Sequence, residues 1–213
     1  MRLGWAGRVN DRLEVMSTLL LALAAVATAW SSYQSARWTA EYRDASGKTN
    51  AVRIEAARGQ SLAQAQTEVD VATFTQWIDA YALHRSELRD FYFKRFRPEF
   101  RPAVTAWLAT RPLTNAAAPL TPFAMPQYKL AAAEQAKQLD AEAAVFSALG
   151  QRDTLRGTNY LLAVVLFAMS LFFAGISTKL GGRRFKAIVL ACGWVIFLVT
   201  VLWVATTPVS LDV

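Results

Sequence analysis

Residues 15–36 read VMSTLLLALAAVATAWSSYQSA, an uncharged stretch closed on its two sides by Glu14 and Arg37. Wound as a helix with a rise of about 1.5 Å per residue, it spans roughly 33 Å, enough to cross a hydrocarbon core of about 30 Å. The stretch therefore predicts a transmembrane helix over residues 13–36. Asn10 and Asp11 are candidate N-caps, and Asp11 with Glu14 has the spacing at which each side chain can satisfy an open backbone N–H. Thr18, Ala22, Ala25, Ala29, Ser32 and Ala36 recur at three- and four-residue steps. Small side chains on one stripe let a second helix approach closely in lipid, so Ala22, Ala25, Ala29 and Ser32 are expected to pack against another span.

Upstream, residues 1–12 form a short basic leader with Arg2, Arg8 and Arg12. A leader followed by an apolar run also fits a secretory signal, with Ala25-Val26-Ala27 and Ala27-Thr28-Ala29 as possible cleavage sites. The run continues past both to Ala36, and Asp11 and Glu14 place acids at its start, so an uncleaved anchor is expected. Downstream, residues 157–178 and 187–211 are two further uncharged runs, and spans are expected over 157–178 and 187–208. Between them lies only KLGGRRFK, residues 179–186, which implies a helical hairpin turning at Gly181-Gly182. Ala163, Ser170, Ala174 and Ser177 place small residues along the second span, making it the expected partner of the first.

The flanks predict orientation. Arg2, Arg8 and Arg12 precede the first span, Lys179, Arg183, Arg184 and Lys186 fill the last turn, and three crossings put both on one side, read as cytoplasmic. Residues 37–156 and the tail 209–213, with Asp212, then lie outside the cytoplasm. Residues 37–96 contain no proline and are rich in Ala, Gln, Glu and Arg, which predicts a helix continuing out of the first span with bends at Gly47 and Gly59. Its apolar stripe is expected to start at Leu62, Ala65, Val69 and Ala72 and to continue through Trp77, Tyr81, Leu88 and Phe91. Pro98 and Pro102 break this helix, a short helix follows over 103–110, and four prolines mark an irregular segment over 111–127. A second long helix over 128–156, with Tyr128, Ala132, Gln135, Leu139, Phe146 and Leu149 near one face, leads into the second span. The predicted fold is all-α: three transmembrane helices, with a long antiparallel helical stalk between the first and the second.

Few motifs carry chemistry. Ser46-Gly47-Lys48-Thr49 ends like a phosphate-binding loop, but Tyr42 stands where that pattern needs its first glycine, and a helix bend is the better account. One histidine, His84, and one cysteine, Cys192, leave no metal-ligand cluster and no intrachain disulfide. His84 falls on the apolar stripe and reads as structural, and Cys192 as a buried apolar thiol. The formal charge of +7 comes from arginines spread along the chain without a basic arm, which argues against nucleic acid. The uncharged runs of the three spans contain no Asp, Glu, Lys, Arg or His, which disfavours a pump or coupled transporter. The densest unusual feature is DFYFKRFRPEFRPAVTAW, residues 90–107. There Phe96 and Phe100, with Lys94, Arg95, Arg97 and Arg101, could contact a protein partner or anionic headgroups. The alternative is that the rings form a core and the cations face water.

The segments TAWSSYQSARW, VDVATFTQWIDAY, RPLTNAAAPLTPFAMPQYKLA and VVLFAMSLFFAGISTKL resemble a group of uncharacterised bacterial membrane proteins with one N-terminal and two C-terminal spans. The resemblance covers most of the chain and implies the bacterial envelope and this architecture, but no activity, ligand or catalytic residue; the location expected is the bacterial inner membrane, with no cofactor. The expected function is non-enzymatic: an oligomeric scaffold or accessory subunit, partnered by the lipid bilayer and by itself or another membrane protein. A homo-oligomeric channel and an envelope sensor working through a partner are the alternatives.

Overall fold

The computed structural model describes the backbone of residues 3–210 and the side chains of residues 12–210. The side chains of Asn10 and Asp11, and the tail from residue 211 with Asp212, lie outside the described residues. Five α-helices follow in order: α1 (Leu3–Ala82), α2 (Ser86–Arg95), α3 (Arg101–Ala109), α4 (Ala131–Lys179) and α5 (Arg183–Ala205), with one turn of 3₁₀ helix at Pro122–Ala124. No strand occurs among the described residues. Helices α1, α4 and α5 each contain a segment long and apolar enough to cross a membrane. Because α1 already begins at Leu3, Asn10 and Asp11 are interior positions and not its caps.

The chain divides into two compact units, one made of residues up to Gly47 and from Phe146 onward, the other of Lys48–Val145. In the first unit the buried positions of α1 include Ser17, Ala24, Ser31, Trp38 and Ala45, a seven-residue step that keeps one seam turned inward. Leu20 and Ala24 pack with Ala163, Phe167 and Ala174 of α4 and with Leu190 and Phe197 of α5. The predicted stripe lies elsewhere: Thr18, Ala22, Ala25, Ala29, Ser32 and Ala36 are all exposed, whereas Ser170 and Ala174 are buried as expected. The physical reason is that every face of this stretch is apolar, so small size alone does not select the packed one. Glycines bring backbones together at the seam. A Cβ on Gly157 would meet Trp38 Cβ at 3.4 Å, and one on Gly193 would meet Leu20 Cδ2 at 3.1 Å.

The hairpin turn is shorter than the sequence suggests. Only residues 180–182 are non-helical between α4 and α5, so Arg183, Arg184 and Lys186 belong to α5. Past α5 the chain returns to α1: Gln34, fully buried, donates from Nε2 to the Ser210 carbonyl at 3.3 Å and accepts from the Ser210 N–H at 3.0 Å. The Tyr160 hydroxyl donates to the Pro208 carbonyl at 3.2 Å. Cys192 is exposed on α5 and not a buried thiol.

In the second unit the buried positions of α1 are Thr49, Ala56, Ala63, Asp70, Phe74, Trp77 and Ala80. The seven-residue step again sets the face, and the expected stripe through Leu62, Ala65, Val69 and Ala72 points outward. Gly59, within an unbroken helix, is a close approach: a Cβ there would lie 3.2 Å from Ala136 Cβ and 3.3 Å from the Ala132 carbonyl. On α4, Ala132, Ala136 and Ala143 are buried, while Gln135 is exposed and Leu139 half-buried. Helix α1 ends at Ala82, well before the predicted break near Phe96. His84 takes a left-handed φ of 57°, its N–H donates to the Tyr81 carbonyl at 3.2 Å, and the Arg85 N–H donates to the Ala80 carbonyl at 2.9 Å. This is the paired bonding that closes a helix, with histidine in the position glycine usually fills. No glycine or proline marks the site, so nothing in the local sequence announces it.

Candidate interaction surfaces

Two short helices and the segment before α4 assemble a compact aromatic centre in the second unit. Phe74, Trp77, Phe96, Phe100, Val104 and Trp107 form its buried part. Phe100 stacks on Phe123 with ring centroids 5.0 Å apart and meets Tyr128 edge-on at 5.6 Å. Offset and edge-on ring pairs of this kind add about 0.5–1.5 kcal/mol beyond the area they bury. The Trp107 indole N–H donates to the Pro119 carbonyl at 2.6 Å, which ties the proline-rich segment to α3. Phe96 and Phe100 are 1% and 0% exposed, so both rings belong to this interior.

The cations of the same stretch divide. Arg97 forms a two-point bond to Asp70, Nε to Oδ1 at 3.0 Å and Nη2 to Oδ2 at 2.9 Å, and its Nη1 reaches Glu99 Oε2 at 2.7 Å. Asp70 is 0% exposed and also accepts from the Tyr128 hydroxyl at 3.2 Å, with Thr67 Oγ1 3.3 Å from that hydroxyl. Arg101 donates to the carbonyls of Phe96 and Lys94 at 3.0 and 2.9 Å, closing the end of α2. Lys94 and Arg95 are exposed, and the Arg95 guanidinium sits 3.6 Å over the exposed Phe91 ring. Of the six predicted contact residues, then, Lys94 and Arg95 face outward, Arg97 and Arg101 hold the fold, and Phe96 and Phe100 fill it. Sequence reasoning missed the pairing of Asp70 with Tyr128 and Arg97. The signal available was the seven-residue step through Ala56, Ala63 and Trp77, which lands on Asp70.

Electrostatics follow from this geometry. The hydrogen bonds that Arg97 donates to Asp70, and the Asp70 charge, lift Arg97 above the ordinary arginine value, against the opposing effect of burial. Burial pushes the Tyr128 hydroxyl above its ordinary value of 10.0, the hydrogen bond with Thr67 opposes this, and the Asp70 charge adds to it. No group of three or more His, Cys, Asp or Glu residues that could hold a metal occurs among the described residues. Ser46, Gly47, Lys48 and Thr49 are helical throughout, so their N–H groups face along the helix and form no phosphate cradle. An open depression of about 380 Å³ beside Phe74, Ile78, Trp107 and Leu113 carries no titratable group, and at its edge Leu120 is 94% exposed.

In the first unit the uncharged stretches of the three long helices expose apolar side chains: Val15, Leu19, Val26 on α1, Leu161, Val165, Phe172 on α4, and Ile188, Val195, Leu202 on α5. Four interior hydroxyls are satisfied within their own helices, whereas the buried Ser31 hydroxyl has no hydrogen-bond partner among the described residues. Ser17 donates to Glu14, Ser170 to Leu166, Ser177 to Ala174 and Thr200 to Ile196. The small-residue stripe from Thr18 to Ala36 is left facing outward. The chain matches no protein family, no curated protein and no solved structure.

Proposed function

We propose that this chain is a three-span integral membrane protein that acts, without catalysis of its own, as a self-associating scaffold or accessory subunit. The observation that carries the reading is the stripe of Thr18, Ala22, Ala25, Ala29, Ser32 and Ala36, which is exposed within the uncharged stretch 15–36 of α1. In lipid, where apolar area drives nothing, such a stripe favours close helix association. The apolar outer faces of α1, α4 and α5 suit contact with acyl chains. An antiparallel course of α1 and α4 is supported within the first unit by Gly150 against Ala45 and Gly157 against Trp38, and within the second by Gly59 against Ala136. Clustering of cations at the α4–α5 turn supports a cytoplasmic location for that turn and for the N-terminus in a bacterial inner membrane.

The test is the mass of the full chain released with its native lipids. A multiple of 23.5 kDa is expected, reduced to the single-chain mass in an Ala25→Leu/Ala29→Leu variant that keeps its helicity. A single-chain mass in the unaltered protein would rule out self-association, and a co-purifying unrelated chain would move the reading to the accessory role.

A further inference from the structure

Where α5 ends, the three long helices of the first unit leave a cleft of about 230 Å³ between them. Ala27 of α1, Phe167 of α4 and Val204 of α5 line its inner part, and the exposed Trp30, Val201 and Ala205 stand at its mouth. Ser31 lines it as well. This serine is 0% exposed, and its hydroxyl has no hydrogen-bond partner among the described residues. Its neighbours along the same helices behave otherwise: Thr28 donates back to the Ala24 carbonyl and Thr200 to that of Ile196, each at 2.7 Å. A helical side chain leans toward the N-terminus of its helix, so the Ser31 hydroxyl overlies the turn of Ala27, which the cleft borders. An enclosed hydroxyl left unbonded is unfavourable, and an acceptor placed in the cleft relieves it.

The lining decides what that acceptor belongs to. An apolar cavity of roughly 150 Å³ already takes up benzene, so this larger space holds an organic group, whereas an ordered water needs about two to four polar partners and finds one hydroxyl here. Among the described residues no charged side chain borders the cleft, so its occupant is neutral there and apolar apart from the acceptor. Depth then selects the acceptor. Trp30 and Tyr33 flank Ser31 in sequence, are 45% and 52% exposed, and have ring centroids 6.0 Å apart. Exposed aromatic rings near the end of a span favour the headgroup boundary. Arg37, the first charge after the stretch, follows Ser31 by six positions, roughly 9 Å along the axis. From Ser31 to Ala27 the cleft runs about 6 Å the other way, toward the middle of the apolar stretch. A carbonyl at the boundary, joined to a hydrocarbon chain that continues inward, is the form of an acyl ester.

We infer that this cleft binds the ester end of one acyl chain of a glycerolipid, with the Ser31 hydroxyl donating to the ester carbonyl and the first methylenes lying against Ala27, Phe167 and Val201. The inference rests on the membrane-spanning reading above. Native mass spectrometry of the full chain tests it, in neutral detergent holding equal amounts of a diester phosphatidylcholine and the diether analogue with the same chains, since the two lipids differ only in their carbonyls. The parent retains the diester lipid about fivefold more than the diether, the worth of one neutral hydrogen bond. Ser31→Ala, which removes an unbonded hydroxyl and favours the helix, abolishes the preference. Ala205→Phe, at an exposed position, fills the mouth of the cleft and abolishes it too. Equal retention of the two lipids by the parent, or a preference unchanged in either variant, overturns the inference. Displacement of the diester lipid by an equimolar short-chain quinone, whose carbonyls sit on an apolar ring, overturns the ester as the source of the carbonyl. Recovery of the intact chain in buffer without detergent would instead sink the membrane reading itself, before any lipid is added.

Discussion

Asp70 sits in the seven-residue step between Ala63 and Trp77, the one charged side chain among the described buried positions of α1, and Arg97 and Tyr128 converge on it from outside α1. Removing the guanidinium leaves an enclosed carboxylate with the tyrosine hydroxyl alone. Arg97→Ala is expected to lower the stability of the second unit by about 3 kcal/mol, read as lost hydrogen-exchange protection across residues 67–107. Arg95→Ala, which removes an exposed guanidinium over the Phe91 ring and its exposed hydrogen bond to the Phe91 carbonyl, should change it by less than about 0.5 kcal/mol. A comparable loss in the two variants would sink the assignment of Arg97 to the fold. Tyr128 gives a pH dependence whose sign is fixed. In the folded chain its hydroxyl is held above 10.0, the ordinary value it regains on unfolding, so above that pH the folded state retains a proton the unfolded state has lost. Stability is therefore whole below about pH 10 and falls as pH rises through the folded value. The melting temperature should drop less steeply above pH 10 in Tyr128→Phe than in the parent. From the sequence, the rings and cations of residues 90–107 were legible as a special cluster. Their sorting into interior and surface was not, because it depends on Asp70, twenty-seven residues from Arg97.

Helices are the scale at which the sequence said most. The absence of proline before residue 98 and the Ala-rich composition sufficed for a long α1, and the alanines after residue 130 for a long α4. Which face packs was harder to read. In residues 15–36 apolarity is uniform, and in residues 62–72 the bulkier Leu62 and Val69 draw attention from Ala63 and Asp70, the positions that are buried. Alanine seams are quiet in a hydropathy pattern because their contribution is closeness of backbone, not size of side chain. Two glycines separate these roles. A methyl group added at Gly47 would meet nothing within 4 Å, so Gly47→Ala is expected to stabilise by about 0.5–1 kcal/mol through helix propensity. Gly59→Val, pressed against Ala136 and the Ala132 carbonyl, should destabilise by about 1–3 kcal/mol. Thermal melts followed by circular dichroism check the pair, and equal shifts of one sign would contradict the close approach at Gly59.

For the whole molecule, the chain carries its own depth probe. Cys192 is the single cysteine, exposed on α5 nine residues from Arg183, or roughly 14 Å along the helix axis. If α5 crosses a bilayer, that thiol lies near its middle. In intact membranes a charged, water-soluble maleimide should leave it unmodified while a lipid-soluble one reacts. Denaturation in detergent should make it accessible to either reagent. Prompt modification by the charged reagent in sealed membranes would remove α5 from the bilayer. That three helices would be long and apolar enough to cross a membrane was legible because uncharged runs of this length stand out in the sequence. The return of the chain after α5 was not, since nothing in Pro208, Val209 and Ser210 points to Gln34. That return has a consequence for biosynthesis. Gln34 and Ser210 are separated by 176 positions, so at about 5–20 residues per second a ribosome makes the second roughly 10–35 s after the first. Throughout that interval the Gln34 amide lacks the mate it has in the folded chain, and the bonds that join α1 to the segment after α5 close only once Ser210 has been made.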